Sequence, residues 1–493
     1  VPSFEDLPRP SFWKRFLLGA VLVVFATAAA TAVTAFREVD KVVSALKENE
    51  SIPGVARDIA KSAPGKAQTI LLLGSDKRPD DATDGGAGGG QRSDTIILVR
   101  LDPEENATAL MSLPRDLKVE IPGYGVDKIN AAYSIGGPSL TLRTIKRLTG
   151  LSINHVVNVD FKGFQKAIDA LGCIYTDVDR RYYNDTADFA YINIPAGYQR
   201  MCGEKALQYA RFRHEDSDLV RGIRQQDLLK DAKHQIGAGQ LFDDRERLIE
   251  IFAKHTTSDA ELKSPAELLR LLKLAVYSVD QPIQHVPFEG EVGITSDPGG
   301  PSYVTASDAT VKALAQKFLG VEEGKGPRGE LKPKGKRKGR DKPAGDDGLE
   351  RETQFGKDQA VQAIEQGAGG KNFPVYYPTV RLQGSEYIGP PRVYKISTTD
   401  DKRRKSYRMV LKYGFVNEYY GLQGTRWLDP PILDGEFDER KIGKRTFELH
   451  YDGDRLRLVA WRTPNAVYWV SNSLLQTLSA RQMLSIARST RLP

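Results

Sequence analysis

Between Phe16 and Phe36 the chain carries no charge, and after Gly19 neither glycine nor proline interrupts the run. About 20 apolar residues cross a hydrocarbon core. The pattern therefore predicts a transmembrane helix over residues 16–36. Lys14 and Arg15 stand just before it, and cations next to a span favour the cytoplasmic side. Residues 1–15 are then a cytoplasmic segment, and the chain from Arg37 onward lies outside the cytoplasm. Residues 37–66 read as a juxtamembrane helix and linker with a break at Pro53-Gly54.

Beyond this the period changes from element to element. Short apolar runs at 69–74, 94–101, 108–113, 154–160 and 173–178 predict strands. Runs at 138–148, 161–171, 204–210, 219–236, 243–254 and 265–276 predict helices. Strands alternating with helices indicate an α/β fold, a layered α/β/α domain around a central mixed sheet, over residues 67–320. Residues 321–370 are rich in Gly, Lys, Pro and Arg with hardly any apolar positions, which predicts a disordered basic linker. Its stretch from Lys332 to Lys342 could touch anionic wall polymer or lipid, although solvation alone accounts for it. Residues 371–493 regain order as a separate small α+β domain. Its strand-like runs are 375–382, 407–413, 447–451, 456–462 and 467–471, with a closing helix at 480–488. Turns are expected at Asp452-Gly453-Asp454 and Pro464-Asn465. No catalytic constellation is found in this last domain.

Composition narrows the chemistry. The net charge of +7 is mild for 493 residues and partly sits in the lysine-rich linker, so nucleic-acid binding does not follow from it. No helix-turn-helix is evident, and no nucleic-acid partner is expected. Two cysteines and six histidines exclude a zinc framework or a cysteine-dense scaffold. A disulfide between Cys173 and Cys202 is expected, because an extracytoplasmic domain permits it. One cysteine opens a predicted strand, and the other precedes a helix start.

Charged clusters collect at strand ends. Asp76 and Arg78 follow the first strand, Arg92 and Asp94 open the second, and Arg115 and Asp116 follow the third. Ligands in open α/β sheets bind beyond strand ends. Two aspartates can hold a hard cation such as Mg²⁺, and arginines can neutralise phosphate charge. Lys128-Ile-Asn130 adds donors on an expected loop. The richest stretch is Tyr209-Ala-Arg-Phe-Arg213 and the helix after it. If extended, Arg211 and Arg213 point one way and Phe212 the other. Ser217 or Asp218 can cap the helix. Asp218, Arg221 and Gln225 then share one face, with Arg224 beside them. Each cluster has a plainer alternative: a strand-turn cap at Asp94, a surface ion pair at Arg115-Asp116, a solvated helix face at Arg221. The glycine-rich stretch 85–90 lacks the Gly-Lys-Ser/Thr ending of a phosphate loop and reads as flexible.

Taken together, Gly74-Ser-Asp-Lys-Arg78, Arg92-Ser-Asp-Thr95, Ser112-Leu-Pro-Arg-Asp116, Asp127-Lys-Ile-Asn130, Gly203-Glu-Lys-Ala-Leu207, Arg211-Phe-Arg213 and the run from Arg221 to Gln226 resemble the LytR-CpsA-Psr family of wall-polymer ligases. The similarity covers about residues 69–240 plus the anchor. It implies a membrane-anchored phosphotransferase that moves a glycopolymer from a polyprenyl-pyrophosphate carrier onto peptidoglycan, at the cytoplasmic membrane, using Mg²⁺ (or Mn²⁺). Carried over by motif, Asp76 and Asp94 serve the metal, and Asp94 assists as base. Arg92, Arg115, Arg211, Arg213, Arg221 and Gln225 hold the pyrophosphate, with Asp94, Arg115, Arg213 and Arg221 closest to the chemistry. Asp218 orients the arginines. The chain departs from the pattern in a glycine-rich insert between Asp76 and Asp94 and in a compact loop, Asp216-Ser-Asp218, before Arg221. The alternative of another class is a non-catalytic wall- or lipid-binding regulator. Retention of every charged motif favours the enzyme.

Overall fold

The structure is a computed structural model. It describes residues 51–63, 65–75, 93–104, 107–186, 191–212, 218–235, 283–286, 292–296, 302–320, 348–414, 418–452 and 455–493, with short pieces between 247 and 274 and the single residue Ser44. The expected transmembrane helix over 16–36 lies outside the described residues. Among the described residues no helix is long and apolar enough to cross a membrane.

In chain order the first half contains strands β1 (Gln68–Ser75), β2 (Ser93–Asp102), β3 (Ala107–Ser112), β4 (Lys118–Ile121) and β5 (Gly125–Lys128), then helix α1 (Ile129–Thr149). Strand β6 (His155–Asp160) leads into α2 (Phe161–Ala170). The strands β7 (Ile174–Val178), β8 (Tyr182–Asn184), β9 (Ile192–Ile194) and β10 (Gly197–Met201) precede α3 (Gly203–Arg211) and α4 (Asp218–Gln235). The strands β11 (Thr256–Ser258), β12 (Ile283–Val286), β13 (Val292–Ser296) and β14 (Ser302–Ala306) and helix α5 (Asp308–Phe318) follow. A six-stranded sheet runs β11-β6-β1-β2-β3-β12. It is mixed: β1 pairs β6 and β3 pairs β12 in parallel, while β1–β2 and β2–β3 are antiparallel.

The layering follows from the two-residue period of β1. Leu71 and Leu73 turn into a core shared with α1 and α5, through Leu140, Leu142, Ile145, Leu314 and Phe318. Ile70 and Leu72 turn the other way, against Leu101, Val157, Leu262 and Leu274. Both faces are covered, which makes the α/β sandwich expected from the alternation of elements. A satellite core joins β7–β10 to α2, α3 and α4 through Ile174, Tyr182, Tyr209, Phe212 and Leu228. The Cys173–Cys202 disulfide closes this region at its base.

Two readings need correction. Helix α1 starts at Ile129, not near Pro138, and bends at Gly136-Gly137, whose dihedrals are non-helical. Ile129 and Asn130 therefore open a helix and are not on a loop. The linker expected to extend to residue 370 ends earlier: β15 (Leu349–Arg351) and α6 (Gln354–Glu365) are ordered. Only small residues, Gly356, Ala360 and Ala363, are buried on α6. Such a helix shows little apolar periodicity and hides in a polar stretch.

The C-terminal part is β-rich. After β15 and α6 come β16 (Val380–Leu382), β17 (Glu386–Tyr387), β18 (Arg392–Ser397), β19 (Arg403–Tyr413), β20 (Glu418–Thr425), β21 (Asp438–Ile442), β22 (Arg445–Asp452), β23 (Arg455–Thr463), β24 (Ala466–Ser471) and α7 (Ala480–Arg488). One eight-stranded sheet runs β17-β19-β20-β24-β23-β22-β21, with β18 also on β19. Pro464-Asn465 makes the two-residue turn between β23 and β24. One face packs α6 and α7 over Tyr407, Met409, Trp461 and Tyr468. The other face meets β7 and β10 through Tyr175, Tyr198, Trp427 and Trp469.

Candidate active site

Strand direction brings three of the sequence clusters to one edge of the six-stranded sheet. Strands β1 and β6 both end there, at Ser75 and Asp160, which are register partners. Antiparallel β2 begins there, with Ser75 opposite Ser93 across a bulge. Strand β3 ends there at Ser112, opposite Ile97. Asp76 follows Ser75 and Arg92 precedes Ser93 in sequence, so the motifs bracket a single register pair. Asp76, Arg78, Arg92 and Arg213 lie outside the described residues. So do the side chains of Asp94, near the start of β2, and Asp218, the first residue of α4.

Helix α4 closes over this edge at its N-terminal end. Gly222 packs on the end of β3, where an added Cβ would lie 2.9 Å from Ser112 Oγ. The Gln225 amide nitrogen donates to Thr95 Oγ1 at 3.1 Å and to Ala210 O at 3.1 Å. Thr95 is the neighbour of Asp94, so this amide ties α4 to the second cluster and to α3. Both amide hydrogens of Gln225 are used in that tie, which makes it a positioning group in this geometry and not a pyrophosphate donor. Arg221, one residue before Gly222, is buried. Arg224 is fully buried, donates to Phe212 O, and stacks its guanidinium 4.7 Å from the Tyr182 ring centroid. It knits the core behind the site.

The third cluster is an ion network. Arg115 Nε lies 4.0 Å from Asp116 Oδ2, and Lys128 Nζ lies 3.0 Å from Asp116 Oδ1. Asp116 is buried, so this is not a surface pair. The Arg115 carbonyl accepts from Asn130 N at 3.1 Å, which fixes the start of α1 against the motif loop. Arg211 lies within a helix and so does not take the extended geometry considered for it. Helix α3 runs through Arg211, and Phe212 is its C-cap. Its guanidinium covers the Phe161 ring at 4.1 Å from the centroid. The alternation of Arg211 with Phe212 is thus a helix end, not a strand.

Sequence reasoning missed Tyr133. Its hydroxyl donates to Asn158 Oδ1 at 3.1 Å, near the ends of β1 and β6. Burial pushes its phenol above the ordinary tyrosine range, so it stays a neutral donor beside Ser75 and Asn158, at the ends of β1 and β6. Only the early start of α1 would have pointed to it, since Tyr133 sits one turn after Asn130.

The LytR_cpsA_psr family model matches residues 26–317. The chain belongs to this family. A member from Oceanobacillus iheyensis, the polyisoprenyl-teichoic acid–peptidoglycan teichoic acid transferase TagU, is 30% identical over 269 residues, covering 52% of this chain and 80% of that protein. The protein of the same name from Bacillus cereus is 31% identical over 225 residues, 44% of this chain and 68% of its own length. Among solved structures, B. subtilis TagV is 26% identical over 52% of this chain and 98% of that one, at a TM-score of 0.43. The family protein YwtF (TagT) with bound octaprenyl pyrophosphate lipid is 21% identical over 56% and 98%, at a TM-score of 0.39. The family match takes in every charged motif at the sheet edge and stops short of the C-terminal sheet.

Proposed function

We propose that this LytR_cpsA_psr family protein is a phosphotransferase that moves a glycopolymer from a polyprenyl-pyrophosphate carrier onto peptidoglycan. The observation that carries the reading is that the strand ends adjoining the Asp76, Asp94 and Arg115 motifs in sequence meet the first turns of α4 at one edge of the sheet. The names of the relatives from Oceanobacillus iheyensis and Bacillus cereus support the same chemistry.

In the reaction, a peptidoglycan hydroxyl attacks the phosphorus that bears the glycopolymer. A new phosphodiester forms, the pyrophosphate P–O bond breaks, and polyprenyl monophosphate leaves with the bonding electrons. Asp94 is the candidate to take the hydroxyl proton. Arg92, Arg115, Arg211, Arg213 and Arg221 offset the charge on the equatorial oxygens, where such catalysis is chiefly positioning and electrostatics. Asp218 and Gln225 hold the α4 arginine in place. Carboxylate oxygens suit Mg²⁺ or Mn²⁺, and Asp76 and Asp94, each next in sequence to a member of the Ser75–Ser93 pair, are the residues that would hold it. When bound, the metal would neutralise pyrophosphate charge. Anchoring by residues 16–36, with the sheet outside the cytoplasm, would place the site at the membrane face where the carrier resides.

The test incubates the full chain in detergent with a polyprenyl-pyrophosphate-linked sugar and no acceptor. Slow, chelator-sensitive release of polyprenyl monophosphate is expected. An intact carrier after prolonged incubation with Mg²⁺ would argue for a binding protein without turnover.

A further inference from the structure

The C-terminal sheet grips the helix that closes the candidate active site. Two of its charged side chains land on α4: Arg457 Nη2 meets Asp231 Oδ1 at 3.1 Å, and Asp452 Oδ1 meets Lys230 Nζ. A third pair reaches β7, where Arg408 Nη1 lies 3.3 Å from Asp177 Oδ2 with both side chains more than nine-tenths buried. Strand β7 is itself strapped to α4, since Gln235 accepts from Tyr175 N at 2.7 Å and donates to Tyr175 O at 2.6 Å.

Arg457, Asp231, Arg408 and Asp177 line a small polar cavity of about 30 Å³, and beside it the contact is aromatic. Tyr175 meets Trp427 edge-on at 5.0 Å, and Tyr198 meets Trp469 at 5.7 Å. Tyr394 Oη donates to Tyr198 O at 2.9 Å. Gly197 is needed there, with φ of +105° and an ideal Cβ 2.5 Å from Tyr394 Oη. Nearer the site, Arg180 stacks between Phe212 and Tyr419 of the C-terminal sheet, at 5.5 and 5.1 Å from the ring centroids. Burial pushes the Asp231 carboxyl up, while Arg457 pulls it down; the guanidinium is held charged by Asp231, Asp227 and Asp452.

We infer that the C-terminal sheet positions α4 for the transferase reaction, with Arg457 and Asp452 as positioning residues. The inference rests on the proposed function for its rate arm only. Arg221 and Asp231 are ten residues apart on one uninterrupted helix, about 15 Å at 1.5 Å per residue. A rigid helix held at its distal half by charge pairs, and resting on β3 through Gly222, transmits a shift at one end to the other. Misplacement of a catalytic group by about 1 Å costs on the order of 10²-fold in rate.

The experiment uses the full chain in detergent and measures three quantities on each variant: kcat and KM for release of polyprenyl monophosphate, the melting temperature, and deuterium exchange of the amides of residues 219–226. Arg457→Ala should lower kcat by about 10- to 100-fold well below its melting temperature, and should speed exchange over 219–226. Arg457→Lys, which keeps a cation facing Asp231, should recover most of both. Glu350→Gln removes the Arg381–Glu350 ion pair in the separate two-stranded β15–β16 sheet of the C-terminal part, and should leave kcat and exchange as in wild type. Should Arg457→Ala fail to fold, the near-isosteric Asp452→Asn takes its place with the same expectation. A lowered melting temperature with wild-type kcat and wild-type protection of 219–226 would overturn the inference. If wild type releases no product, the transferase reading fails on its own, and the exchange measurement still decides whether the sheet orders α4.

Discussion

Gly203→Ala discriminates between reading the chain as a string of propensities and reading it as a packed structure. Gly203 opens α3, and alanine favours a helix over glycine by up to about 1 kcal/mol. Its φ is not in the left-handed region, so on propensity alone the substitution should stabilise. The structure predicts the reverse. An ideal Cβ would lie 2.2 Å from the Gln165 carbonyl oxygen, 2.6 Å from its carbon and 2.7 Å from its Cα. These are backbone atoms of α2 and cannot rotate aside. Nor can α3 slide away: Gly203 N donates to Asp169 Oδ1 at 2.8 Å, and Cys202 is bonded to Cys173. Relief therefore needs the two helices to part by nearly an ångström. Overpacking of this kind costs roughly 1–3 kcal/mol, which in a domain of this size is a melting temperature lower by roughly 2–12 °C. Arg211 ends the same helix, so turnover should fall even at temperatures where the variant is folded. The assay is thermal unfolding by circular dichroism on the full chain, paired with carrier turnover. A melting temperature equal to or above wild type would refute the packing argument.

Four further outcomes are expected. The Cys173–Cys202 bridge spans a separation of 29 residues, so Cys173→Ser with Cys202→Ser should cost roughly 3–4 kcal/mol; two alkylatable thiols in the native protein would count against the bridge. Arg221→Ala should lose on the order of 10²–10³ in rate, and Arg221→Lys should also be impaired because the planar fork is gone; Arg245→Ala is the control, and equal behaviour would unseat the assignment. Asp76→Ala and Asp94→Ala should each abolish most turnover with an unchanged circular dichroism spectrum, whereas turnover that ignores chelators would remove the metal role. Burial and the cations Lys230, Arg457 and Lys233 hold the His234 imidazole down at about 4. The unfolded chain therefore binds the extra proton first, and this contribution to stability is present above about pH 6.5 and lost as pH falls toward 4. Because the partly covered His234 keeps more than a third of its surface open to water, solvent screening makes the effect modest; His234→Gln should flatten the stability–pH slope in that window, and an unchanged slope would exclude it.

How far the sequence could be read depended on where each signal lay. The strands of the first sheet were legible because β1 and β2 alternate residues for two cores, and the motif clusters were legible because they sit where those strands stop. Helix α7 was readable to the residue, with its capping box at Ser479 and Gln482. Helix α6 was hidden because its buried face is made of small residues, Gly356, Ala360 and Ala363. The end of α3 was legible to within a residue; the extended alternation considered for Arg211-Phe-Arg213 does not hold at Arg211, where the Phe212 N to Gln208 O bond at 3.0 Å closes the helix. The second face of the C-terminal sheet was least legible. In β19, Tyr407, Met409 and Leu411 announce a core, whereas Ser406 and Arg408 read as solvent-facing. Arg408 is nonetheless buried, because Asp177 comes from more than 200 residues away in the chain to meet it. No local pattern encodes a partner at that distance.

The central claim is transfer, and product analysis addresses it most directly. The full chain in detergent is incubated with Mg²⁺, a polyprenyl-pyrophosphate-linked glycopolymer and insoluble peptidoglycan, and the washed peptidoglycan is digested and analysed by mass spectrometry. The account predicts muropeptides joined to the polymer through a phosphodiester, together with an equal amount of polyprenyl monophosphate, both lost in Asp94→Ala. Carrier that is bound yet recovered intact, with unmodified peptidoglycan, would contradict it.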